Sequence, residues 1–171
     1  ICLTHADVGQ SNPTFLLSVG SFKCVLRKRP PGKLLRGAHA VDREYTVLAA
    51  LGALGKNHGK NDGMHGKSEA PPVPTVRHFC EDSSVLGTPF LMYDFVPGRF
   101  YADPSLRDEP ALSAADRRGM YGALADAMAA LHAVRDPAGL SPEMAAFGKS
   151  EGYVARQLKT WTRQFRAAQL E

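Results

Sequence analysis

Alternating and helical patterns of apolar residues divide the chain into strands followed by helices. Residues 14–28 contain two runs rich in β-forming residues, TFLLSV and FKCVLRK, which are separated by Gly20 and Ser21. A glycine at the first position of a two-residue loop is typical of a type II′ hairpin turn. The same β-forming composition predicts two further strands, over residues 74–81 and 88–96.

Helical periodicity replaces the strand pattern in three segments. The first covers residues 38–54, and the second begins at Ser113, a favourable N-cap with Asp116 three residues later. The third begins at about residue 150. Each has an apolar stripe predicted to be buried. The stripes consist of Val41, Tyr45, Leu48, Leu51 and Gly55 in the first helix, Met120, Leu124, Ala127, Met128, Leu131 and Val134 in the second, and Val154, Leu158, Trp161, Phe165 and Ala168 in the third.

The order of these elements predicts the fold class. Strands, one helix, more strands and then only helices are typical of an α+β fold with segregated layers. We expect a first domain over residues 1–96 and a second, helical part over residues 97–171. Residues 55–72, GKNHGKNDGMHGKSEAPP, have almost no side chains to bury and are predicted to form a flexible insertion in the first domain.

Composition excludes several classes of protein. The formal net charge of the 171 residues is +4, which is too small to indicate nucleic-acid binding. No apolar run has the roughly 18 residues that a membrane span needs. The three cysteines, Cys2, Cys24 and Cys80, are far apart and fit neither a disulfide framework nor a zinc site, so we expect an intracellular reducing compartment such as cytoplasm, mitochondrion or peroxisome. Because the first residue is Ile, we interpret the chain as a fragment or a processed product.

The opening stretch HADVGQSNPTF contains a spacing that suggests phosphoryl transfer. His5, Asp7 and Asn12 match the His-x-Asp-x-x-x-x-Asn catalytic loop of kinase-like enzymes. That loop requires a later metal-binding carboxylate, but the corresponding strand reads CVLRKRP and ends in cations. We therefore interpret the match as chance and predict no catalytic residue in this chain.

A second interpretation makes residues 9–14 a turn between the first two strands that covers phosphate groups. Gly9, Ser11 and Asn12 suit this role, because backbone N–H groups and small polar side chains bind phosphate. An ordinary β-turn explains the same residues equally well.

Arg27 and Glu44 are predicted to meet. Arg27 follows Val25 by two residues on a strand and therefore shares its face, while Glu44 falls within the apolar stripe of the next helix. A carboxylate on a buried face must find a cation or raise its pKa. A strand cation held by a helix carboxylate is how kinase folds aim positive charge at nucleotide phosphates. The alternative is a purely structural ion pair.

Several blocks, in their order along the chain, resemble the N-terminal half of the aminoglycoside phosphotransferase family. They are GQSNPTF, CVLRKRPPGKLL, AHAVDREYTVLAAL, PTVRHFCEDSSVLGTPFLMYDFVPGR, LADAMAALHAV and GYVARQLKTWTRQF. The most similar branch is the kinase-like domain fused ahead of some acyl-CoA dehydrogenases. The resemblance implies a kinase-like N-lobe, formed by an antiparallel sheet and one helix, followed by the first helices of a truncated helical C-lobe.

The resemblance also implies roles for individual residues in binding a nucleotide. Arg27 takes the place of the family's phosphate-facing lysine, and Glu44 takes the place of its helix partner. Val25 would pack against adenine, and Ser11 and Asn12 would lie over the phosphates. Within LMYDFVPG, the backbone groups of Tyr93 and Phe95 would pair with the adenine edge, beside Met92.

Cofactors and partners follow from the same resemblance. ATP and Mg²⁺ are the implied cofactors, with the magnesium ligands and the catalytic loop expected beyond Glu171, so this chain alone is expected to be inactive. The implied acceptor is a small molecule with a hydroxyl group, of the hydroxyacyl-CoA type in the acyl-CoA dehydrogenase branch, and a fused dehydrogenase domain is a possible partner. The alternative is a non-catalytic, pseudokinase-like binding or interaction module, and in a truncated chain we expect the helices to expose their apolar faces.

Overall fold

The sheet is built from five strands that are all antiparallel to their neighbours. The computed structural model describes residues 1–6, 12–32, 34, 38–58, 70–107, 109–149 and 151–168, without the side chains of residues 56–58. The strands are β1 (Cys2–His5), β2 (Thr14–Val19), β3 (Phe22–Lys28), β4 (Val76–Cys80) and β5 (Phe90–Asp94). Their order in the sheet is β1-β2-β3-β5-β4, so that β5 lies between β3 and the edge strand β4.

The β2–β3 hairpin has the predicted two-residue turn. Val19 pairs directly with Phe22, which leaves Gly20 and Ser21 as the loop. Gly20 has φ +58°, and Ser21 does not have a positive φ. This combination is that of a type II′ turn, in which only the first loop residue needs the left-handed backbone that glycine adopts without strain.

Helix α1 (Val41–His58) packs against one face of the sheet. The side chains of Val41 and of Leu91, in the central strand β5, are fully buried, and the ring of Tyr45 stacks on that of Phe79 with their centroids 4.7 Å apart. The predicted helix over residues 38–54 is confirmed in place, but it begins later and continues to His58, into the predicted insertion. Of the rest of that insertion, residues 59–69 lie outside the described residues, while residues 70–72 are described and Pro71 is buried, so this end does not fit the predicted flexible insertion.

The connection from β4 to β5 contains the four-residue helix α2 (Ser83–Leu86), which Asp82 caps.

Helix α3 (Ala114–His132) begins at the predicted N-cap, Ser113. The Asp116 N–H donates to Ser113 Oγ at 3.1 Å and the Ser113 N–H donates to the Asp116 carboxylate at 2.9 Å, forming a capping box. The Ser113 hydroxyl, 2.6 Å from the Asp116 carboxylate, and then the Ser113 N–H hold the pKa of that carboxyl below its ordinary value.

The chain divides into two compact units, Ile1–Asp136 and Pro137–Glu171. The second unit contains a short 3₁₀ turn (Pro137–Leu140), helix α4 (Pro142–Ala145) and helix α5 (Tyr153–Ala168). The boundary predicted after residue 96 does not coincide with this division by contacts, and it stays a prediction. Within the described parts of the chain, no helix is both long enough and apolar enough to cross a membrane.

The apolar stripe of α5 is exposed, so the prediction that it is buried was wrong. Val154, Leu158, Trp161 and Phe165 are between 64% and 78% exposed, and Ala168 is exposed as well. On α3, the side chains of Leu124, Met128 and Leu131 are about half exposed, while the smaller or flanking members of the stripe are partly buried. Periodicity predicted both helices correctly, but a periodic stripe becomes buried only where another surface covers it.

Candidate functional site

Arg27, Val25 and Tyr93 project from the same face of the sheet. In the ladder between β3 and β5, Val25 is directly opposite Tyr93, and Arg27 is directly opposite Leu91. Residues directly opposite each other share a face, and so do residues two apart on one strand. Helix α1 packs on this face, because Glu44 contacts Arg27 there.

The predicted pair of Arg27 and Glu44 is present. Arg27 Nε lies 3.1 Å from Glu44 Oε2, and the two side chains are only 32% and 28% exposed. The strand alternation that places Arg27 beside Val25 and the helical period that places Glu44 on the inner face of α1 bring the two charges together, as the sequence indicated.

This ion pair is not arranged for maximum stability. The N–H of Arg27 Nε is not aligned with the carboxylate, so this buried donor has no hydrogen-bond acceptor. The two charges still attract each other at this distance, but the contact lacks the alignment of a good hydrogen bond. Burial also raises the pKa of the Glu44 carboxyl, and the attraction of Arg27 only partly offsets that rise. Ionised Glu44 therefore costs the folded protein free energy, which is a common property of functional charges.

The Tyr93 side chain is a third member of this cluster, and sequence reasoning missed it. Burial and then the Glu44 charge raise the pKa of its phenol, while the nearby Arg27 guanidinium acts in the opposite direction. The sequence had assigned Tyr93 a role through its backbone alone. Its position diagonal to Arg27 across the ladder is the signal that finds it, but this depends on the pairing of β3 with β5.

Met92 and Phe95 lie apart from the cluster. Met92 is opposite Leu26, so its side chain projects from the other face of the sheet. Phe95 follows the last residue of β5, and its N–H reaches the carbonyl oxygen of Lys23 at 3.5 Å, the long end of the hydrogen-bond range. The predicted backbone contacts of Tyr93 and Phe95 with adenine stay predictions.

Asn12 holds the segment that precedes α1. Its Oδ1 atom lies 3.0 Å from Nδ1 of His39, and the two side chains are partly buried. His39 has φ +58°, a left-handed backbone that is unusual for a residue other than glycine. The start of β2 is therefore tied to the entry of the helix that carries Glu44. Ser11, like Asp7 of the discarded catalytic-loop match, lies outside the described residues.

A cleft of about 930 Å³ lies elsewhere in the first unit. Tyr45, Leu48, Phe79 and Ala127 are among the residues that line it, and neither Arg27 nor Glu44 is one of them. Its walls come from α1, β4 and α3, so it is distinct from the ion-pair cluster. Within the described residues, no group of three or more His, Cys, Asp or Glu side chains is placed to hold a metal ion.

Comparisons with known proteins identify the family. The model of the phosphotransferase enzyme family matches residues 3–171. The chain is 40% identical to mouse acyl-CoA dehydrogenase family member 10 over 167 residues, and 39% identical to human acyl-CoA dehydrogenase family member 11 over 168 residues. Each match covers 98% of this chain but only 14% and 19% of the relative. The chain thus spans less than a fifth of these curated relatives.

A solved structure supports the same assignment. An aminoglycoside phosphotransferase from Ralstonia eutropha matches with a TM-score of 0.67 and 30% identity, over 99% of this chain and 43% of its own. Both the family resemblance and the predicted α+β, kinase-like fold are thereby confirmed. With its five-stranded antiparallel sheet, its helix-braced arginine and a family match over nearly its whole length, the chain belongs to the phosphotransferase enzyme family.

Proposed function

We propose that this chain is the nucleotide-binding part of an ATP-dependent kinase for small molecules. One observation carries the proposal: a partly buried arginine on β3, braced by a carboxylate from α1 in a geometry that does not favour stability. Such a cation neutralises and orients the phosphate groups of a nucleotide, and phosphoryl transfer depends mainly on positioning and charge. In the proposed reaction, a hydroxyl group of the acceptor attacks the γ-phosphate in line.

The remaining site residues follow the pattern of the family. In the proposed complex Val25 packs against adenine on the same face as Arg27, and Ser11 and Asn12 cover the phosphates. The backbone of residues 93–95 lies near the adenine edge, beside Met92. In this proposal the Tyr93 side chain, whose phenol senses the charges of Glu44 and Arg27, lies beside the phosphate-facing cation.

The described residues do not provide a magnesium site. Magnesium needs oxygen ligands that include carboxylates, and the carboxylates described here form no suitable cluster. We therefore assign no step of the reaction to a metal held by these residues.

The acceptor that we propose is a hydroxyacyl-CoA-type molecule. The support is the acyl-CoA dehydrogenase naming of the curated relatives, which are much longer than this chain. A kinase domain fused to such a dehydrogenase would act on acyl chains that carry a hydroxyl group. Phosphorylation assays with hydroxyacyl-CoA and with an aminoglycoside as acceptors, using the natural full-length protein, distinguish the two substrate classes.

Titration calorimetry tests the nucleotide site. In the natural full-length protein we expect Arg27→Gln to weaken the binding of ATP with magnesium at least about tenfold, or about 1.4 kcal/mol, because one charge-assisted contact is lost. Lys28→Gln is the matched control: it removes a cation from the adjacent position of the same strand, on the opposite face of the sheet, where Lys28 donates to the Leu86 carbonyl oxygen. Equal affinities of the two variants would contradict the proposal.

A non-catalytic interaction module is the second candidate. The exposed apolar side chains of α5 favour it, because such side chains are suited to binding another surface. The two candidates differ in a simple measurement. An interaction module shows no thermal shift and no calorimetric signal with ATP and magnesium, whereas a kinase shows both.

A further inference from the structure

Arg77 and Asp94 form a two-bond contact at the end of the sheet. Arg77 Nε donates to Asp94 Oδ1 at 2.5 Å, and Arg77 Nη2 donates to Asp94 Oδ2 at 2.7 Å. This paired geometry fixes the carboxylate in orientation as well as in distance, which a single contact does not. Neither residue belongs to the cluster around Arg27.

A register irregularity in β4 coincides with Arg77. The register between β4 and β5 shifts between Val76, which pairs with Tyr93, and His78, which pairs with Met92. Arg77 falls at this shift, where two residues of β4 lie opposite one residue of β5. Alternation from Val76 places Arg77 on the face of the sheet that carries Met92 and Asp94, and its guanidinium reaches the Asp94 carboxylate there.

Asp94 is the last residue of β5 and is held from several sides. Its N–H donates to the carbonyl oxygen of Thr75 at 2.9 Å, and it pairs with the fully buried Cys24 across the β3 ladder. After Asp94 the chain leaves the sheet through Phe95 and Val96, which are both exposed. The direction of this exit is therefore set at Asp94.

The exposure of the pair argues against a role in stability alone. The Arg77 side chain is 51% exposed, and exposed ion pairs contribute little to the free energy of folding. The ordered two-bond geometry nevertheless fixes one particular orientation of the end of β5. Its main physical effect is thus on where the following residues lie.

We infer that Arg77 and Asp94 are positioning residues that set where the linker over residues 95–98 leaves the sheet, and hence how its backbone groups meet the nucleobase. This inference rests on the proposed function, since it requires the linker to contact the base of a bound nucleotide. It assigns the pair to the base end of the site, whereas Arg27 acts at the phosphate end. A substitution in the pair should therefore affect the two ends unequally.

Competition measurements in the natural full-length protein test this difference, with adenosine and inorganic tripolyphosphate as probes against ATP. Asp94→Asn and Arg77→Lys each lose the two-bond contact. Because the linker is then misplaced, we expect either variant to bind ATP and adenosine roughly tenfold more weakly. We expect little change in the binding of tripolyphosphate. The exchanged pair, Arg77→Asp with Asp94→Arg, should recover most of the lost affinity. Asp82→Asn is the matched control, because Asp82 is an exposed carboxylate in the same β4–β5 connection that accepts an N–H from Ser84 at 2.8 Å.

The possible results separate this inference from the proposed function. Wild-type protein that binds neither ATP nor the two probes overturns both. Wild-type binding of ATP, with unchanged adenosine affinity in Arg77→Lys and Asp94→Asn, overturns the inference alone. Equal losses for adenosine and tripolyphosphate also overturn it, because they would indicate a general structural effect.

Discussion

The sheet with α1 and the helix α5 use similar apolar side chains in opposite ways. In the sheet region, Leu91, Val41 and Cys24 are almost completely removed from water. In α5, Trp161 and Phe165 lie on an equally regular stripe and are about two-thirds exposed. The difference shows that sequence periodicity specifies which face of an element can be buried, while a neighbouring element decides whether it is buried.

The largest expected effect is on the free energy of unfolding, when a leucine is truncated to alanine at a buried position. The same truncation at an exposed position is the comparison. Leu91→Ala should lower the free energy of unfolding by about 2–5 kcal/mol, because it leaves a cavity in the central strand of the sheet. Leu124→Ala, on the half-exposed stripe of α3, should cost less than about 1 kcal/mol. Urea unfolding followed by circular dichroism measures both values. Similar losses for the two variants would mean that α3 is covered in solution.

An intermediate effect is expected on self-association of this 171-residue chain. Exposed Leu158 and Trp161 favour contacts between copies, because full burial of a large apolar side chain contributes about 1.5–3 kcal/mol. Leu158→Gln with Trp161→Gln should shift gel-filtration elution toward the monomer. Lys159→Gln, which changes an exposed cation of the same helix and no apolar side chain, is the control and should not shift the elution. A monomeric wild-type chain would show that exposure of this stripe does not drive association.

The smallest expected effect is the dependence of stability on pH through Glu44. Burial raises the pKa of Glu44 in the folded protein above its ordinary 4.5, so the folded state binds the proton more tightly than the unfolded state. The resulting stability is fully present below pH 4.5 and is lost as the pH rises through the raised pKa. The urea midpoint of the wild type should therefore fall relative to that of Glu44→Gln over this range. A wild-type midpoint that rises relative to the variant would show that the attraction of Arg27 outweighs burial.

The parts of the site that depend on local periodicity were predictable. Arg27 lies two residues after Val25 on one strand, and Glu44 lies on the inner face of the next helix, so both directions follow from element geometry. The turn at Gly20 and the cap at Ser113 were predictable for the same reason. Each depends on residues that are close together in the sequence.

The remaining contacts depend on how distant strands pair. Tyr93 lies near Arg27 only because β5 pairs with β3 in one register, and Arg77 meets Asp94 only because β4 pairs with β5. A shift of one residue moves every side chain of a strand to the other face. Composition and spacing within one strand contain no information on such a shift. Periodicity alone did not predict the exposure of α5, which depends on the surface that lies opposite; the expectation of exposed apolar helix faces came from the family resemblance.

The insertion of β5 between β3 and β4 has a consequence for the order in which the sheet assembles. The β2–β3 hairpin forms from neighbouring residues, but β4 cannot join it until β5 has been synthesised and has entered the gap. The chain from Arg29 to Pro89 thus acts as one long loop, and this loop closes when the last strand, β5, enters the sheet. The entropy of such a closure grows only with the logarithm of its length, by about 0.6 kcal/mol for each doubling. Evolution is therefore free to lengthen or shorten the connection between α1 and β4 at little thermodynamic penalty.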